Sequence, residues 1–342
     1  MIPKIRISVS DRCQMKCVYC GGEGALMENF GPKRETLCAE DLLKIIRCGL
    51  EARFFKKVHF TGGEPLLRPD LISLIGSTVK MGGEVELNTN GLALTERRVR
   101  LLKKAGCSLL KVSLDCATRK EFYSITGFDG FEKVIKSIDI ASKIMPVRVN
   151  CVVMQQNLRK IVPLIDLMNK LKVPRIHLLD LTYYPFPGSK TFWEEEFVYL
   201  SREVQSFFEK KIGKKFKEMQ IFGCYFSELL SKNEGTIIVL KEANPTMRSP
   251  SICSPCQNYC HEGVFTLRLS TGGYLNICPF ENNLGVDALS ALKKGILIKE
   301  YEKFSEIFDE TEQVNSFPTF LNRNNLKLKE RGELDENMLS SF

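Results

Sequence analysis

The sequence lacks a long hydrophobic run, a secretory signal and a strong excess of one charge. No stretch approaches the ~18–20 uninterrupted apolar residues that a membrane-spanning helix needs. The first residues, MIPKIRISVS, have no apolar core followed by a small-residue cleavage site. The net charge of +8 over 342 residues suits an anionic small molecule but is too diffuse to indicate nucleic acid. We therefore expect a cytoplasmic protein that binds neither membranes nor nucleic acid.

Histidine is scarce, with three residues, whereas the thirteen cysteines are many for a cytoplasmic chain of this size. Disulfides are rare in that reducing compartment. Seven of the cysteines form two tight groups: Cys13, Cys17 and Cys20 near the start, and Cys253, Cys256, Cys260 and Cys278 near the end. Clustered thiolates in a reducing compartment indicate metal or redox chemistry. The two groups are therefore the first candidates for a functional site.

Short β-rich runs alternate with amphipathic helical patterns over the first half of the sequence. The predicted strands are 5–10, 57–61, 84–88, 109–114, 147–153 and 175–179, and the predicted helices are 40–51, 69–80, 95–105, 130–143 and 158–170. Strands separated by helices at this spacing predict a parallel sheet with crossover helices. Because right-handed crossovers curve such a sheet, we expect an α/β fold with a partial (β/α)6 TIM barrel. The first cysteine group follows strand one, at the edge where such barrels place their reactive groups.

The pattern changes after about Leu181, and the second half predicts smaller units. We expect a barrel core over residues 1–217, a linker over 218–250, a small cysteine-rich domain over 251–300 and a C-terminal tail over 301–342. Within the small domain, 264–270 and 274–278 are predicted to form a hairpin through Thr271, Gly272 and Gly273.

The first cysteine group has the spacing Cys13-x3-Cys17-x2-Cys20. Three thiolates on one short loop suit three irons of a [4Fe–4S] cubane and leave the fourth iron without a protein ligand. Structural zinc is the alternative, but zinc needs four closed ligands, and no fourth Cys or His lies nearby. The spacing therefore favours an iron–sulfur cluster.

This spacing, with Tyr19 before the last cysteine, resembles the signature of the radical S-adenosylmethionine (SAM) superfamily. The second strand ends in Thr61-Gly62-Gly63-Glu64-Pro65, which resembles the GGEP motif that holds the methionyl amino group of SAM in that family. The resemblance further implies that Ser113 contacts the SAM ribose. It also implies cleavage of SAM to a 5′-deoxyadenosyl radical, which abstracts a hydrogen atom from a substrate. Asn90 and Asn150 are weaker candidates for SAM contacts, with turn capping as the alternative.

The second cysteine group, Cys253 to Cys278, leaves two interpretations open. Four cysteines on a loop and a hairpin could form a zinc ribbon. Beside a radical SAM core, they also resemble the ligands of an auxiliary [4Fe–4S] cluster in a twitch or SPASM domain. Three of these ligands would leave one iron free for substrate, and four would close the cluster.

The motifs most resemble the GTP 3′,8-cyclase branch of the superfamily, through segments such as 6–13, 61–68, 112–115, 125–127 and 268–278. Five positions are the candidate substrate contacts, namely Arg6, His59, Asn88, Arg148 and Arg268. Compared with the cyclase branch, Arg6 is unchanged and Arg148 replaces a lysine. Arg268 is the one arginine that remains of a longer arginine motif. His59 replaces an arginine, and Asn88 replaces a threonine. Arg6 and His59 are also the candidates for a catalytic role, with ordinary solvated or satisfied side chains as the alternative.

The altered substrate contacts beside intact SAM motifs predict a radical SAM enzyme with a changed substrate. We expect a small polar molecule, such as a nucleotide or sugar derivative, in cofactor or natural-product biosynthesis. The alternatives are a genuine GTP 3′,8-cyclase of molybdenum-cofactor biosynthesis and a peptide-modifying maturase. The resemblance also implies an electron donor such as flavodoxin or ferredoxin. The sequence does not indicate an oligomeric state.

Overall fold

The computed structural model describes residues 4–20, 35–182, 189–212, 217–221, 224–230, 235–241, 252, 266–278 and 284–309. The strands are β1 (Lys4–Ser8), β2 (Lys57–Thr61), β3 (Glu84–Thr89), β4 (Cys107–Ser113), β5 (Val147–Val152), β6 (Arg175–Leu179), β7 (Lys217–Ile221), β8 (Cys224–Leu230), β9 (Ile237–Lys241), β10 (Thr266–Leu269), β11 (Tyr274–Asn276) and β12 (Val286–Asp287).

The described helices flank this sheet. They are α1 (Ala39–Glu51), α2 (Leu71–Lys80), α3 (Glu96–Lys104), α4 (Arg119–Thr126), α5 (Phe131–Ile144), α6 (Gln155–Leu158), α7 (Ile161–Lys170), α8 (Ser189–Glu196), α9 (Ser206–Ile212), α10 (Ala288–Lys293) and α11 (Leu297–Asp309). A 3-10 turn covers Pro65–Leu67, and a π-helical turn covers Leu200–Gln205.

The described strands form one sheet in the order β12-β11-β10-β1-β2-β3-β4-β5-β6-β9-β8-β7. From β10 to β9 every neighbouring pair is parallel, and the strands outside that range pair antiparallel. Because crossover helices connect β1 to β6, this is the expected α/β fold with a partial (β/α)6 barrel core.

The two faces of the parallel strands have opposite character. Ile5, Ile7, Val58 and Phe60 are fully or almost fully buried and belong to one hydrophobic core with residues of the helices, such as Ile45. Successive side chains of a strand point to opposite faces. The intervening positions therefore face away from the helices, and in β1 to β6 they are largely polar or charged. We call this side of the sheet the inner face.

The predicted strands and helices are confirmed, and their observed ends differ from the predicted ones by up to three residues. Thr95, predicted as the first residue of a helix, caps the N-terminus of α3, and its hydroxyl accepts a hydrogen bond from the Arg98 amide. Helix α4 was not predicted from the sequence. It is short, and Thr118 caps its N-terminus while Gly127, in the left-handed conformation, ends it.

The second half of the chain extends the same sheet. The region expected as a linker contains β8 and β9, and β9 pairs in parallel with β6. The predicted hairpin is present as β10 and β11, but β10 also pairs in parallel with β1. Helix α11 enters the region expected as a tail and packs on α1, where the Tyr301 hydroxyl donates to the Ile45 carbonyl. No helix in the described part of the chain is long and apolar enough to cross a bilayer.

Candidate active site

The first cysteine group lies on the loop that follows β1 and rests against the end of α4. The Lys16 amide donates to the Thr126 carbonyl at 2.8 Å, and the Val18 amide donates to the Ile125 carbonyl at 2.9 Å. The Cys20 amide turns back to the Cys17 carbonyl. These backbone bonds fix the cysteine loop at the C-terminal edge of the parallel sheet.

Tyr19 anchors this loop to the neighbouring strands. Its hydroxyl donates to Asp115 Oδ2 at 2.8 Å, while Asp115 Oδ1 accepts from the Val152 amide at 2.7 Å. The Asn157 side chain donates to the Asp115 carbonyl and completes the junction. Burial raises the pKa of Asp115 to about 6, which the Tyr19 and Val152 hydrogen bonds partly oppose. Asp115 therefore positions the loop and does not reach solvent.

The glycines of the GGEP motif let the loop after β2 run along the cysteine loop. The Gly63 amide donates to the Ser10 carbonyl at 2.6 Å, and the Glu64 amide donates to the Arg12 carbonyl at 2.7 Å. A Cβ at Gly63 would overlap the Arg12 carbonyl oxygen, and Gly62 has a φ of +128°. Glycine is required at both positions because only it permits this approach.

Glu64 is fully buried and receives three hydrogen bonds from the chain itself. Oε1 accepts from the Leu66 amide at 3.0 Å and from the Thr89 hydroxyl at 2.7 Å, and Oε2 accepts from the Asn90 amide at 2.7 Å. The resemblance implied that the GGEP motif, which includes this carboxylate, holds the SAM amine. In the structure, it ties the GGEP loop to the end of β3.

Asn90 caps a turn, one of the two tasks that the sequence left open, and its side chain also reaches the cysteine loop. Its Oδ1 accepts from the Leu92 amide in a turn, and its Nδ2 lies 3.1 Å from Gln14 Oε1 and 3.6 Å from Cys13 Sγ. Ser113 and Asn150 are paired in register at the ends of β4 and β5. The Asn150 side chain accepts a hydrogen bond from Arg148 Nε. The predicted SAM contacts thus share one edge of the sheet with the cysteine loop.

The thiols on this loop fit an iron–sulfur cluster by their chemistry. Burial raises the pKa of the Cys17 thiol, and the nearby charges of Asp115, Cys20 and Cys13 raise it further. Cysteine thiolates this close together repel one another, and binding to a shared metal centre offsets that repulsion and favours the thiolate form. Among the described residues, no group of three or more His, Cys, Asp or Glu side chains is arranged to hold a metal ion. Each thiolate of a cubane binds a different iron, so the cluster does not require convergence on one ion.

The candidate substrate residues lie in two rows across the inner face. Arg6 is in register with His59 on one side and with Arg268 on the other. Asn88 and Arg148 are joined in the second row by Lys111, which pairs with both. All five predicted positions therefore share one side of the sheet, below the edge that carries the cysteine loop.

His59 is 4% exposed, and its two ring nitrogens and Asn88 Oδ1 have no hydrogen bond of normal geometry. Burial lowers the pKa of His59 well below its usual value, and the charges of Lys111 and Arg6 lower it further. His59 is therefore a neutral imidazole, with one donor and one acceptor nitrogen, beside the Asn88 amide. Buried polar atoms without partners indicate a place for a polar ligand.

Glu86 and Lys111 form an ion pair on the inner face that the sequence analysis missed. Lys111 is 4% exposed. Burial disfavours the ionised form of Glu86, but the Lys111 charge holds its pKa below the usual range. Arg175 continues the row beyond Arg148. The sequence did contain a signal for these residues: polar side chains recur at every second position within strands that are otherwise hydrophobic.

The second cysteine group is described only at Cys278, which is buried and whose amide donates to Asn276 Oδ1. Cys253, Cys256, Cys260 and His261 lie outside the described residues. Since β11 runs antiparallel to β10, and β10 parallel to β1, Cys278 lies toward the edge where β1 begins. The inner-face rows therefore lie between Cys278 and the cysteine loop.

Comparison with known proteins agrees with this geometry. The profile of the radical SAM superfamily matches residues 7–168. A protein of Saccharolobus islandicus (strain Y.N.15.51 / Yellowstone #2) named "Probable GTP 3′,8-cyclase" is 31% identical over 293 residues, covering 84% of this chain and 86% of its own. A protein of Pyrococcus abyssi with the same name is 30% identical over 298 residues, covering 86% of this chain and 90% of its own.

Solved structures share the fold at low sequence identity. Streptococcus suis SuiB superposes with a TM-score of 0.57 at 15% identity, over 95% of this chain and 68% of its own. The anSMEcpe protein with bound AdoMet and a peptide gives a TM-score of 0.57 at 14% identity, over 89% of this chain and 83% of its own. With its relatives, its fold and its cysteine loop in agreement, the chain belongs to the radical SAM superfamily and is a SAM-dependent iron–sulfur enzyme.

Proposed function

We propose that this enzyme abstracts a hydrogen atom from a small, polar, anionic substrate bound on the inner face. The observation that carries the proposal is the junction of three loops at one edge: Gly63 with Ser10, Glu64 with Arg12, and Asn90 with Cys13. When bound, the [4Fe–4S] cluster and SAM supply a 5′-deoxyadenosyl radical. A substrate on the inner face would lie directly beneath that edge.

The residues of this edge would hold SAM by position and hydrogen bonding. Cys13, Cys17 and Cys20 would ligate three irons, and the Gly62–Gly63 backbone would face the methionyl amine. Ser113 and Asn150, side by side at the strand ends, suit the ribose hydroxyls. Glu64 and Asp115 would act indirectly, because each is buried and already bonded to the chain.

The inner face favours a substrate other than GTP. Arg6, Arg148 and Arg268 suit an anionic group. Glu86, largely buried among them, is paired with Lys111 and so takes up that lysine's charge, and His59 is neutral where the cyclase branch has an arginine. A small anion with hydroxyl groups would suit the positive charge of the arginines and offer hydrogen bonds to the buried polar atoms of His59 and Asn88. The curated relatives named GTP 3′,8-cyclase keep that activity as the second candidate.

We further propose that Cys253, Cys256, Cys260 and Cys278 hold an auxiliary [4Fe–4S] cluster. Cys278 lies across the inner face from the first cysteine loop. Anaerobically purified protein should then contain about eight irons per chain, as two cubanes require. About four irons together with one zinc would support the zinc ribbon instead.

The experiment that tests the proposed function compares Cys17→Ala with Cys38→Ala, an exposed cysteine outside both groups. Both proteins are reconstituted without air, reduced and given SAM. Cys17→Ala should release no 5′-deoxyadenosine, because the cluster loses one of its three ligands, whereas Cys38→Ala should match the parent. Release at the parent rate by Cys17→Ala would contradict the assignment. Deuterium transfer from labelled nucleotides, sugars and peptides into 5′-deoxyadenosine then identifies the substrate class.

A further inference from the structure

Lys111 is a buried lysine on the inner face to which the proposed function gives no chemical role. Only 4% of it is exposed, although lysine side chains normally keep their ammonium group in water. It lies on β4 in register with Asn88 on one side and Arg148 on the other, and both are candidate substrate contacts. Ser113, a candidate SAM contact, follows on the same face of β4, two residues or about 7 Å along the strand. Lys111 therefore lies between the substrate residues and the SAM edge.

Glu86 is the direct partner of this lysine. Its Oε2 is paired with the Lys111 ammonium, and its Oε1 lies 4.0 Å from Lys57 Nζ, so each carboxylate oxygen has a cation near it. Lys111 thus touches a group that can accept its proton. A buried ion pair seldom stabilises a fold more than well-packed apolar side chains would. Its place among the substrate contacts points instead to a chemical task.

The surroundings of Lys111 make its ammonium group easy to deprotonate. Burial lowers the pKa of Lys111 well below its usual range, and the charges of Arg148 and Lys4 lower it further, against the opposing charge of Glu86. A lysine beside another cation in a desolvated site is a common form of nucleophilic lysine. Each unit by which the pKa falls gives about tenfold more neutral amine at neutral pH. Burial therefore makes this lysine a better nucleophile than an exposed one.

We propose that Lys111 binds a small anionic aldehyde or ketone as an imine, with Glu86 accepting and returning the proton. The proposal rests on the proposed function, whose small, polar, anionic substrate it identifies as a carbonyl compound. Arg148, in register with Lys111, holds the carboxylate or phosphate of that compound. The imine places the bound molecule beside Ser113, directly beneath the SAM edge.

The step balances without any further reactant. The Lys111 ammonium gives one proton to Glu86, and the amine nitrogen attacks the carbonyl carbon. The N–C bond forms as the π bond of the carbonyl opens, and a second proton passes from the nitrogen to the oxygen. The hydroxyl then leaves as water with the proton returned by Glu86, and a protonated C=N bond remains. One water is released for each carbonyl compound bound, and nothing is oxidised or reduced.

The test labels the anaerobically reconstituted enzyme with glycolaldehyde phosphate and cyanoborohydride, which reduces an imine to a stable amine. Mass spectrometry of the peptides compares Lys111 with Lys104, an exposed lysine on α3. Lys111 should be modified faster than Lys104, by about tenfold or more, as its lowered pKa requires. Modification of Lys111 no faster than that of Lys104, which burial in an inert ion pair would give, would overturn the proposal. This measurement on the parent does not depend on the folding of any variant.

Two variants test the partners of Lys111. Glu86→Gln should slow its labelling about a hundredfold, within the range that general acid–base groups contribute. Glu84→Gln is the matched control on the same strand, because Glu84 is half-exposed and pairs with Lys56, and it should label as the parent does. Arg148→Gln should abolish the preference of the labelling for glycolaldehyde phosphate over uncharged glycolaldehyde. Parent behaviour of Glu86→Gln or of Arg148→Gln would contradict the proposal.

The same preparation is assayed for 5′-deoxyadenosine release with SAM and dithionite. Imine formation needs neither the cluster nor SAM, so the two results are independent. SAM cleavage without preferential labelling of Lys111 would overturn this proposal alone. Preferential labelling of Lys111 without SAM cleavage would instead contradict the proposed function.

Discussion

The Tyr19 hydroxyl and the Asp115 carboxylate meet at 2.8 Å, although 96 positions separate them in the sequence. The bond joins the cysteine loop to the end of β4, and Asp115 passes the connection to β5 through the Val152 amide. The aromatic residue of the cysteine motif thus has a structural task besides any contact with SAM.

Tyr19→Phe should lower the free energy of unfolding by about 1–3 kcal/mol, because it leaves Asp115 Oδ2 buried without a donor. Denaturant unfolding of the anaerobic protein measures this change. Tyr123→Phe is the matched control, since that hydroxyl belongs to an exposed side chain. Equal unfolding midpoints for the two variants would contradict the anchoring role of Tyr19.

Gly63→Ala should loosen the junction between the GGEP loop and the cysteine loop, because the new Cβ meets the Arg12 backbone. Backbone cannot move aside as a flexible side chain can, so we expect a cost of about 1–3 kcal/mol together with loss of bound iron. Iron content and unfolding midpoint are the measurements. Gly76→Ala is the control, since its Cβ would have no neighbour closer than 3.9 Å. It should keep the iron content of the parent and keep or raise the unfolding midpoint, because alanine favours the interior of α2 over glycine.

The sequence predicted the strands of the barrel core well because each is a short apolar run bounded by a helix or a turn. It missed α4 because that helix has only eight residues, half of them facing solvent. The Ile125-Thr126-Gly127 segment resembles a family motif, but the sequence does not show what the segment does. The carbonyls of Ile125 and Thr126 support the cysteine loop, and this contact depends on the tertiary structure.

The site shows the same division. Cysteine spacing and the two glycines are local signals, and they sufficed to predict the edge where the site lies. Glu64 bonds to Thr89 and Asn90, which are distant from it in the sequence. The sequence does not reveal these bonds, so the motif alone suggested that Glu64 contacts a ligand. Glu86 and Lys111 become significant only once the strand register places them beside His59 and Arg148.

His59 should make the protein less stable in acid. Its pKa in the folded state lies well below the usual 6.5, through burial and the charges of Lys111 and Arg6. Above pH 6.5, both folded and unfolded states hold a neutral imidazole, so His59 contributes nothing. Below pH 6.5, His59 binds a proton in the unfolded state but not in the folded state. The free energy of unfolding therefore falls by up to about 1.4 kcal/mol for each unit by which the pH is lowered.

The measurement is the difference in the free energy of unfolding between the parent and His59→Gln as the pH falls from neutral to acid. The parent should lose more stability than the variant, because only the parent contains His59. Burial also lowers the pKa of His177, but this residue is present in both proteins, so its effect cancels in the difference. Parallel pH profiles would show that the pKa of His59 is the same in the folded and unfolded states, and would contradict this account.

The central claim is that the SAM machinery of this chain acts on a substrate other than GTP. Each lost charge-assisted contact to a triphosphate costs on the order of 1.5–3 kcal/mol. His59 in place of arginine removes one such contact, and Glu86 takes up the charge of Lys111, which could otherwise have replaced it. The direct test incubates reduced enzyme with SAM and GTP and analyses the products by mass spectrometry. The account predicts 5′-deoxyadenosine from SAM and no 3′,8-cyclised nucleotide, whereas multiple-turnover formation of that nucleotide would contradict it.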